Sequence, residues 1–178
     1  MKAQKLMAQT RLYAGDAMKA KYSDWQVIRA LNDALRVMAE ENANAMGRLF
    51  RGRAEVEMTD GVGTLPSDYL RVIRGVSGES GSELLHVHSD APSAGEFSIR
   101  GDELYSGETE KVELWYFSNP GQIADGDSDV PVPERYTTAI AKAAAALLTG
   151  SDGGAITVAD YFLPDAQAAP QPLQQQGD

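Results

Sequence analysis

The sequence predicts an α+β protein. A helical bundle drawn from the N- and C-terminal parts holds an inserted antiparallel β-rich domain, and an extended C-terminal arm follows. Three observations predict it. Residues 23–44 carry apolar side chains at the three-then-four spacing of one helical face. Residues 54–117 change to short alternating runs divided by turn signals. Helical spacing then returns after Asp129. The organisation that follows is a helical part over 1–53, a β-rich insertion over 54–130, a helix completing the bundle over 131–150 and a tail over 151–178.

The first element is a helix over 7–19, with Leu12, Ala14 and Met18 among Lys, Arg and Gln, weakened by Gly15. The second is the helix over 23–44. Ser23 with Gln26 reads as a capping box, and Asp24 sets a negative charge at the positive end of the helix dipole. Its predicted core face is Trp25, Ile28, Leu31, Leu35 and Met38. Burying five such side chains releases roughly 10 kcal/mol gross, so this helix needs partners from elsewhere in the chain. After it, residues 45–52 either continue the helix or turn away at Gly47. Arg48, Arg51 and Arg53 cluster there with Phe50; a helix end favouring cations explains them as well as a nucleic-acid patch does.

The β-rich middle opens with alternation over 54–58 and a turn at Thr59-Asp60-Gly61-Val62-Gly63. Strands follow over 69–76 and 84–88, and a hairpin joins 96–100 to 103–105 through Gly101-Asp102. The strongest strand is 111–117, with Val112, Leu114 and Tyr116 on one face and Glu113, Trp115 and Phe117 on the other. Pro131 and Pro133 stand where the last helix starts, with Glu134 in its first turn. Tyr136, Ile140, Ala143, Ala144, Leu147 and Leu148 share its apolar face; Tyr136, Ile140 and Leu147 are the candidate core residues facing the second helix. The small side chains of the Ala run let another helix approach closely, and Gly150 is a natural stop. Beyond the joint at Ser151-Asp152-Gly153-Gly154, residues 155–163 are apolar, and a Pro/Gln-rich end unsuited to a core follows. The segment is either the last packed element of the domain or a sticky arm for a neighbour.

Composition narrows the function classes. The chain has 178 residues, no cysteine, two histidines and a net charge of −10. Disulfides and thiolate zinc sites are excluded. No apolar run approaches the ~20 residues that span a bilayer, and no signal core follows the basic N-terminus, so an intracellular chain, or one assembled inside a cell, is expected. Charge is unevenly spread: residues 1–53 are net +5 and residues 54–178 net −15. Such asymmetry suggests two surfaces with different partners, and the acidic part repels nucleic acid.

Few constellations carry chemistry. Asp125-Gly126-Asp127-Ser128-Asp129 resembles the start of a calcium loop, but Val130 and Tyr136 stand where that loop needs Gly and Glu; a solvated acidic loop is the expectation. His86 and His88 share a strand face with Asp90 nearby, but no third His completes a metal set. Arg100-Gly101-Asp102 reads as a hairpin turn. No nucleophile motif, phosphate loop, paired-carboxylate arrangement or basic face with interleaved aromatics stands out in the sequence. Neither enzyme activity nor a metal or cofactor is expected.

The order of these signals resembles the head-to-tail adaptor proteins of tailed bacteriophages, also called tail-tubular or head-completion proteins. The resemblance rests on an early helix with Asp16; Ser23-Asp24-Trp25 opening a helix with Leu31-Asn32-Asp33-Ala34-Leu35; Leu65-Pro66-Ser67-Asp68-Tyr69-Leu70-Arg71 leading into the sheet; and Ile99-Arg100-Gly101-Asp102-Glu103-Leu104 at the hairpin. Val112-Glu113-Leu114-Trp115-Tyr116 with Asn119-Pro120 follows, then Asp129-Val130-Pro131 and Pro133-Glu134-Arg135-Tyr136 before the Ala-rich helix. The interruption at Ser151–Gly154 departs from the longer helical C-terminus common in that family.

The resemblance implies a structural part of the virion neck or tail, assembled in the host bacterial cytoplasm. It implies a homo-oligomeric ring of twelve copies beneath the portal protein, bridging to a tail tube, nozzle or next neck protein, with DNA only as non-specific cargo and no membrane partner. It further implies a portal-binding arm, here Ala155, Ile156, Val158, Tyr161, Phe162 and Leu163. The alternatives are a neck stopper or tail-end protein, a small ligand- or carbohydrate-binding β domain stacking on Trp115 and Tyr116, and a carboxylate-based hydrolase.

Overall fold

The local signals of residues 23–44 produce the longest helix among the described residues, seen in a computed structural model that describes residues 1–107 and 110–150. Among the described residues the chain is mixed α+β, with three α-helices and seven strands. It divides into two units. One comprises Met1–Gly47 and Gly121–Asp178, described as far as residue 150; the other is Arg48–Pro120.

In the helical unit, α1 is Ala3–Tyr13, α2 is Asp24–Asn44 and α3 is Thr137–Thr149. The α1 helix starts four residues earlier than predicted, because distant backbone satisfies its first donors. The N–H groups of Ala3 and Gln4 donate to the carbonyls of Ser128 and Gly126, at 2.9 and 2.8 Å. It also ends earlier. Gly15, at φ +67°, takes the left-handed position, while Asp16 N–H donates to Arg11 O and Gly15 N–H to Leu12 O. That paired closure stops the helix.

The α2 helix is capped as predicted: Gln26 N–H donates to Ser23 Oγ at 3.2 Å, and Ser23 N–H to Gln26 Oε1 at 2.8 Å. Its buried stripe is Val27, Ala30, Leu31, Ala34, Leu35 and Met38. Leu31, Leu35 and Met38 are therefore core residues, Ile28 is half-buried, and Trp25 is 65% exposed. The physical reason is that Ala30 and Ala34 centre the packed stripe, which turns the bulky Trp25 to the far side, where Arg29 lies over its ring at 5.6 Å. Met46, in the left-handed region at φ +52°, ends α2, with Gly47 N–H on Asn42 O.

The α3 helix follows a short 3-10 turn, Glu134–Tyr136, so its α-helical part begins at Thr137 rather than at Pro133. It lies against both α1 and α2. Thr137, Ile140, Ala141, Ala144 and Ala145 are buried, so the close approach uses small side chains. Tyr136 is half-buried, and Leu147, expected in the core, is 54% exposed because the Ala stripe faces inward in its place. Gly150, at φ +57°, is the left-handed stop. Two polar clusters, one at Arg11 and one at Asn32, fix the connections. Arg11 Nη1 donates to Asp16 Oδ2 at 2.6 Å and to Tyr22 O at 2.7 Å, and its Nη2 to Asp24 Oδ1 at 2.7 Å. Asn32 Nδ2 donates to Ile123 O while Ile123 N–H donates to Asn32 Oδ1, both at 2.9 Å.

The sheet unit contains β1 (Arg51–Glu57), β2 (Val62–Thr64), β3 (Tyr69–Ser77), β4 (Glu83–His86), β5 (Glu96–Arg100), β6 (Glu103–Ser106) and β7 (Lys111–Ser118). Their order is β1-β7-β3-β4-β5-β6-β2. The edges β1 and β2 approach each other, so the sheet nearly closes. Gly63 permits this approach: a Cβ there would stand 2.5 Å from Val56 Cγ1 and 2.9 Å from Glu57 O. The expected wholly antiparallel sheet is corrected at one place, since β4 and β5 pair in parallel through Leu85–Glu96 and His86–Phe97. The loop after His86 turns the chain back to run beside itself, where a hairpin would have reversed it.

Alternation sorts β7 as expected. Val112, Leu114 and Tyr116 join Val56, Leu65, Leu84, Phe97 and Leu104 in the core. Tyr116 also donates its hydroxyl to Asp68 Oδ1 at 2.9 Å, and Asn119 N–H donates to Asp68 O. Asp68, in the Leu-Pro-Ser-Asp-Tyr step, thus ties the start of β3 to the end of β7.

Candidate functional site

The sites expected from sequence resolve differently. The arm residues Ala155, Ile156, Val158, Tyr161, Phe162 and Leu163 lie outside the described residues. The acidic loop is committed to its own backbone. Asp125 Oδ1 accepts from Asp127 N–H, Ser128 N–H and Ser128 Oγ, and Asp129 pairs with Lys2 at 3.1 Å. The Ser128 hydroxyl and N–H lead in holding the Asp125 carboxyl below its ordinary range; Asp127 and Lys2 add to this, against the opposing effect of burial. The imidazoles of His86 and His88 are 5.2 Å apart, and His86 stacks on Phe97. Burial, then the charge of His88, pushes His86 below its usual range. Among the described residues no group of three or more His, Cys, Asp or Glu is placed to hold a metal ion. Arg100-Gly101-Asp102 forms the turn between β5 and β6, with Arg100 paired to Glu103.

Trp115 and Tyr116 do not form one stacking platform. They point to opposite faces of β7, and Tyr116 is buried in the core. Trp115 belongs to a different arrangement, which the sequence concealed. In the strand register Arg53 of β1 and Arg74 of β3 both stand opposite Trp115, and Arg51 and Arg71 both stand opposite Phe117. The guanidinium of Arg74 lies 4.6 Å from the Trp115 ring centroid, that of Arg53 5.2 Å, and that of Arg51 lies 5.6 Å from the Phe117 ring. All four arginines are exposed, Trp115 is half-buried and Phe117 is buried.

Each part of this face has a local cause. Directly opposed residues on neighbouring strands share a face, and a guanidinium stacked on a ring gains cation–π attraction. Glu113 sits beside the pair. It accepts from Arg53 Nη2 and, at 2.6 Å, from Trp115 Nε1, which fixes the indole. The Arg53 hydrogen bond leads in pulling the Glu113 carboxyl below its ordinary range, with Trp115 and the Arg74 charge assisting, against burial. The same contact raises Arg53. Two residues further along β1 and β7 the sign reverses: Lys111 bridges Glu55 at 2.8 Å and Glu57 at 2.9 Å, which raises the Lys111 ammonium.

Sequence reading found no basic face with interleaved aromatics because the six residues come from three separated strands. The available signal was the alternation of Arg51 and Arg53 in β1 with that of Trp115 and Phe117 in β7. What it lacked was the pairing that sets them side by side.

Two comparisons bear on the whole chain. No curated protein matches it. The family model described as SU10 adaptor protein matches residues 1–177. That match takes in both structural units and the segment after α3, and the chain belongs to the SU10 adaptor protein family.

Proposed function

We propose that this protein is the structural head-to-tail connector of a tailed phage virion. Family membership indicates a phage adaptor protein, a component that works among other virion proteins; the match over residues 1–177 is the observation that carries the reading. In this reading the helices of the two chain ends form the bundle that faces the portal. Twelve copies close a ring beneath it and bridge to the next tail component, and the genome passes through the opening. Closure of such a ring needs heterologous contacts between different faces of neighbouring copies. The excess of acidic residues over 54–178 suits a bore along which DNA slides without sticking.

The arm in this reading is the apolar run with Tyr161 and Phe162, which engages the portal. The protein acts by binding and not by catalysis, and it resides in the virion neck after assembly in the host cytoplasm. Deleting residues 151–178 tests the arm. The truncated chain is expected to keep the circular-dichroism spectrum and melting transition of the intact protein and to lose co-sedimentation with the cognate portal. Normal co-sedimentation of the truncated chain overturns the assignment of the arm.

A further inference from the structure

We infer that, in the free protein, the apolar segment 155–163 docks on one end of its own helical unit, against Leu12, Met18, Trp25 and Leu147. Two sets of contacts fix which helix ends meet there. Lys5 pairs with Glu134 at 3.6 Å, and eight residues further along both stretches Lys142 Nζ lies 5.6 Å from the Tyr13 ring centroid. The α1 and α3 helices therefore run parallel. Arg11 Nη2 donates to Asp24 Oδ1, so α2 starts where α1 ends. The C-terminal ends of α1 and α3 thus lie with the N-terminal end of α2. Leu147, five residues past Lys142, stands about 7.5 Å further towards that end. The large exposed apolar side chains gather here. Of seven among the described residues, Leu12, Tyr13, Met18, Trp25 and Leu147 belong to this end. Single exposed apolar residues need no explanation, but such a gathering marks a docking surface.

The place where the chain leaves α3 names the occupant. Gly150 closes α3 at this same end, and the four residues Ser151–Gly154 span at most ~14 Å before Ala155. Gly153 and Gly154 allow the chain to reverse there. Fully extended, 155–163 would cover roughly 30 Å, and packed helix axes are about 8–10 Å apart, so the segment is long enough to cross all three helix ends. Its apolar side chains include Ile156, Tyr161 and Phe162. Charge agrees with the fit. Lys19 and Lys21 are exposed in the connection between α1 and α2, and the segment brings Asp160, with Asp152 and Asp165 on its flanks. A tether this short sets a millimolar effective concentration, which favours the chain's own segment over that of a second copy. Docking keeps an apolar arm from other copies until a tighter-binding partner draws it away. That use of the arm rests on the portal reading above; docking in the free chain does not. The contact is slight and lets go below the melting range of the core, so local probes at room temperature report it and the global transition does not.

The experiment uses the full-length chain carrying Trp115→Phe, which leaves Trp25 as the sole tryptophan. Acrylamide quenching of Trp25 is measured without portal, in this chain and in the same chain carrying Tyr161→Ser and Phe162→Ser. The serine substitutions are expected to raise the quenching constant about twofold, with a red-shifted emission, and the difference should persist over a hundredfold dilution. A second readout keeps both tryptophans. Chymotrypsin cleavage after Tyr161 and Phe162, followed by mass spectrometry, should quicken about threefold in full-length Leu147→Ser. Leu147 is exposed, so the helical core is expected to be intact in that variant, with an unchanged circular-dichroism spectrum. Equal quenching with and without the serine substitutions, or equal cleavage in Leu147→Ser, overturns the inference. A quenching difference that vanishes on dilution overturns it in favour of docking by the segment of a second copy. Both readouts are made without portal, so their failure leaves the co-sedimentation result to decide the portal reading separately.

Discussion

Arg11 and Asp16 form an ion pair at 2.6 Å with side chains 3% and 0% exposed, and this pair sets the turn between α1 and α2. The Asp16 carboxylate also accepts the N–H groups of Ala20, Lys21 and Tyr22, so one side chain organises the whole connection. Burial alone would raise the Asp16 carboxyl; those three backbone donors and Arg11 outweigh it and hold it below 3.8.

Removing Arg11 leaves that charge buried without its cation. Arg11→Met is expected to lower stability by about 3 kcal/mol, read as a lower denaturant midpoint at unchanged slope. The pair also gives an acid dependence. Asp16 binds its proton less tightly in the folded state than in the unfolded chain, so its contribution is complete above the ordinary carboxylate range and fades as pH falls through and below 3.8. Asp16→Asn is therefore expected to be less stable at neutral pH and to lose less on acidification than the parent. Parallel acid transitions for the two would contradict this.

Asn32 and Ile123 are 91 residues apart in sequence and exchange two hydrogen bonds. These pin the segment leading to the 126–128 carbonyls that cap α1. Asn32→Leu leaves the Ile123 N–H and C=O without these partners, for an expected loss of about 2 kcal/mol. Hydrogen exchange is expected to quicken at Ala3 and Gln4 as well as at Ile123. Exchange changed at Ile123 alone would show that the cap does not depend on this tie.

Those contacts show where sequence reading works and where it stops. The start of α2 was legible because Ser23 and Gln26 are three residues apart, and the end of α3 because Gly150 serves its own helix. The inward face of β7 was legible because alternation is local. The start of α1 was not, since its donors are met by residues more than a hundred positions away. Trp25 was misplaced because the apolar count favoured large side chains over the Ala30 and Ala34 that make the contact. The Arg53–Trp115–Arg74 stack was invisible because strand order, not spacing, creates it.

Met46 ends α2 in the left-handed region, a conformation that strains a side chain bearing a Cβ. It is 53% exposed, so little packing is lost on substitution. Met46→Gly is expected to raise stability by about 1 kcal/mol, read as a higher midpoint in urea. A lowered midpoint would show that the Met46 side chain holds the turn.

Tyr116 couples the sheet core to Asp68. Burial, then the hydrogen bond and charge of Asp68, pushes its phenol up to about 12, above the ordinary 10.0. Its neutral form therefore supports the fold fully below pH 10, and that support is lost as pH rises from 10 towards 12. Tyr116→Phe is expected to cost about 1 kcal/mol at neutral pH and to flatten the alkaline limb of the stability profile. Phenolate absorbance followed through the same range checks the assignment. A Tyr116 titrating at the pH of an exposed tyrosine would refute it.

The proposed function requires that the protein assemble on the portal as a connector. Particle imaging of the full-length chain mixed with its cognate portal tests it most directly. A twelve-fold collar of this protein is expected on one end of the portal ring, with the channel open through both. Monomers that leave the portal bare, or a collar of another symmetry, would contradict it.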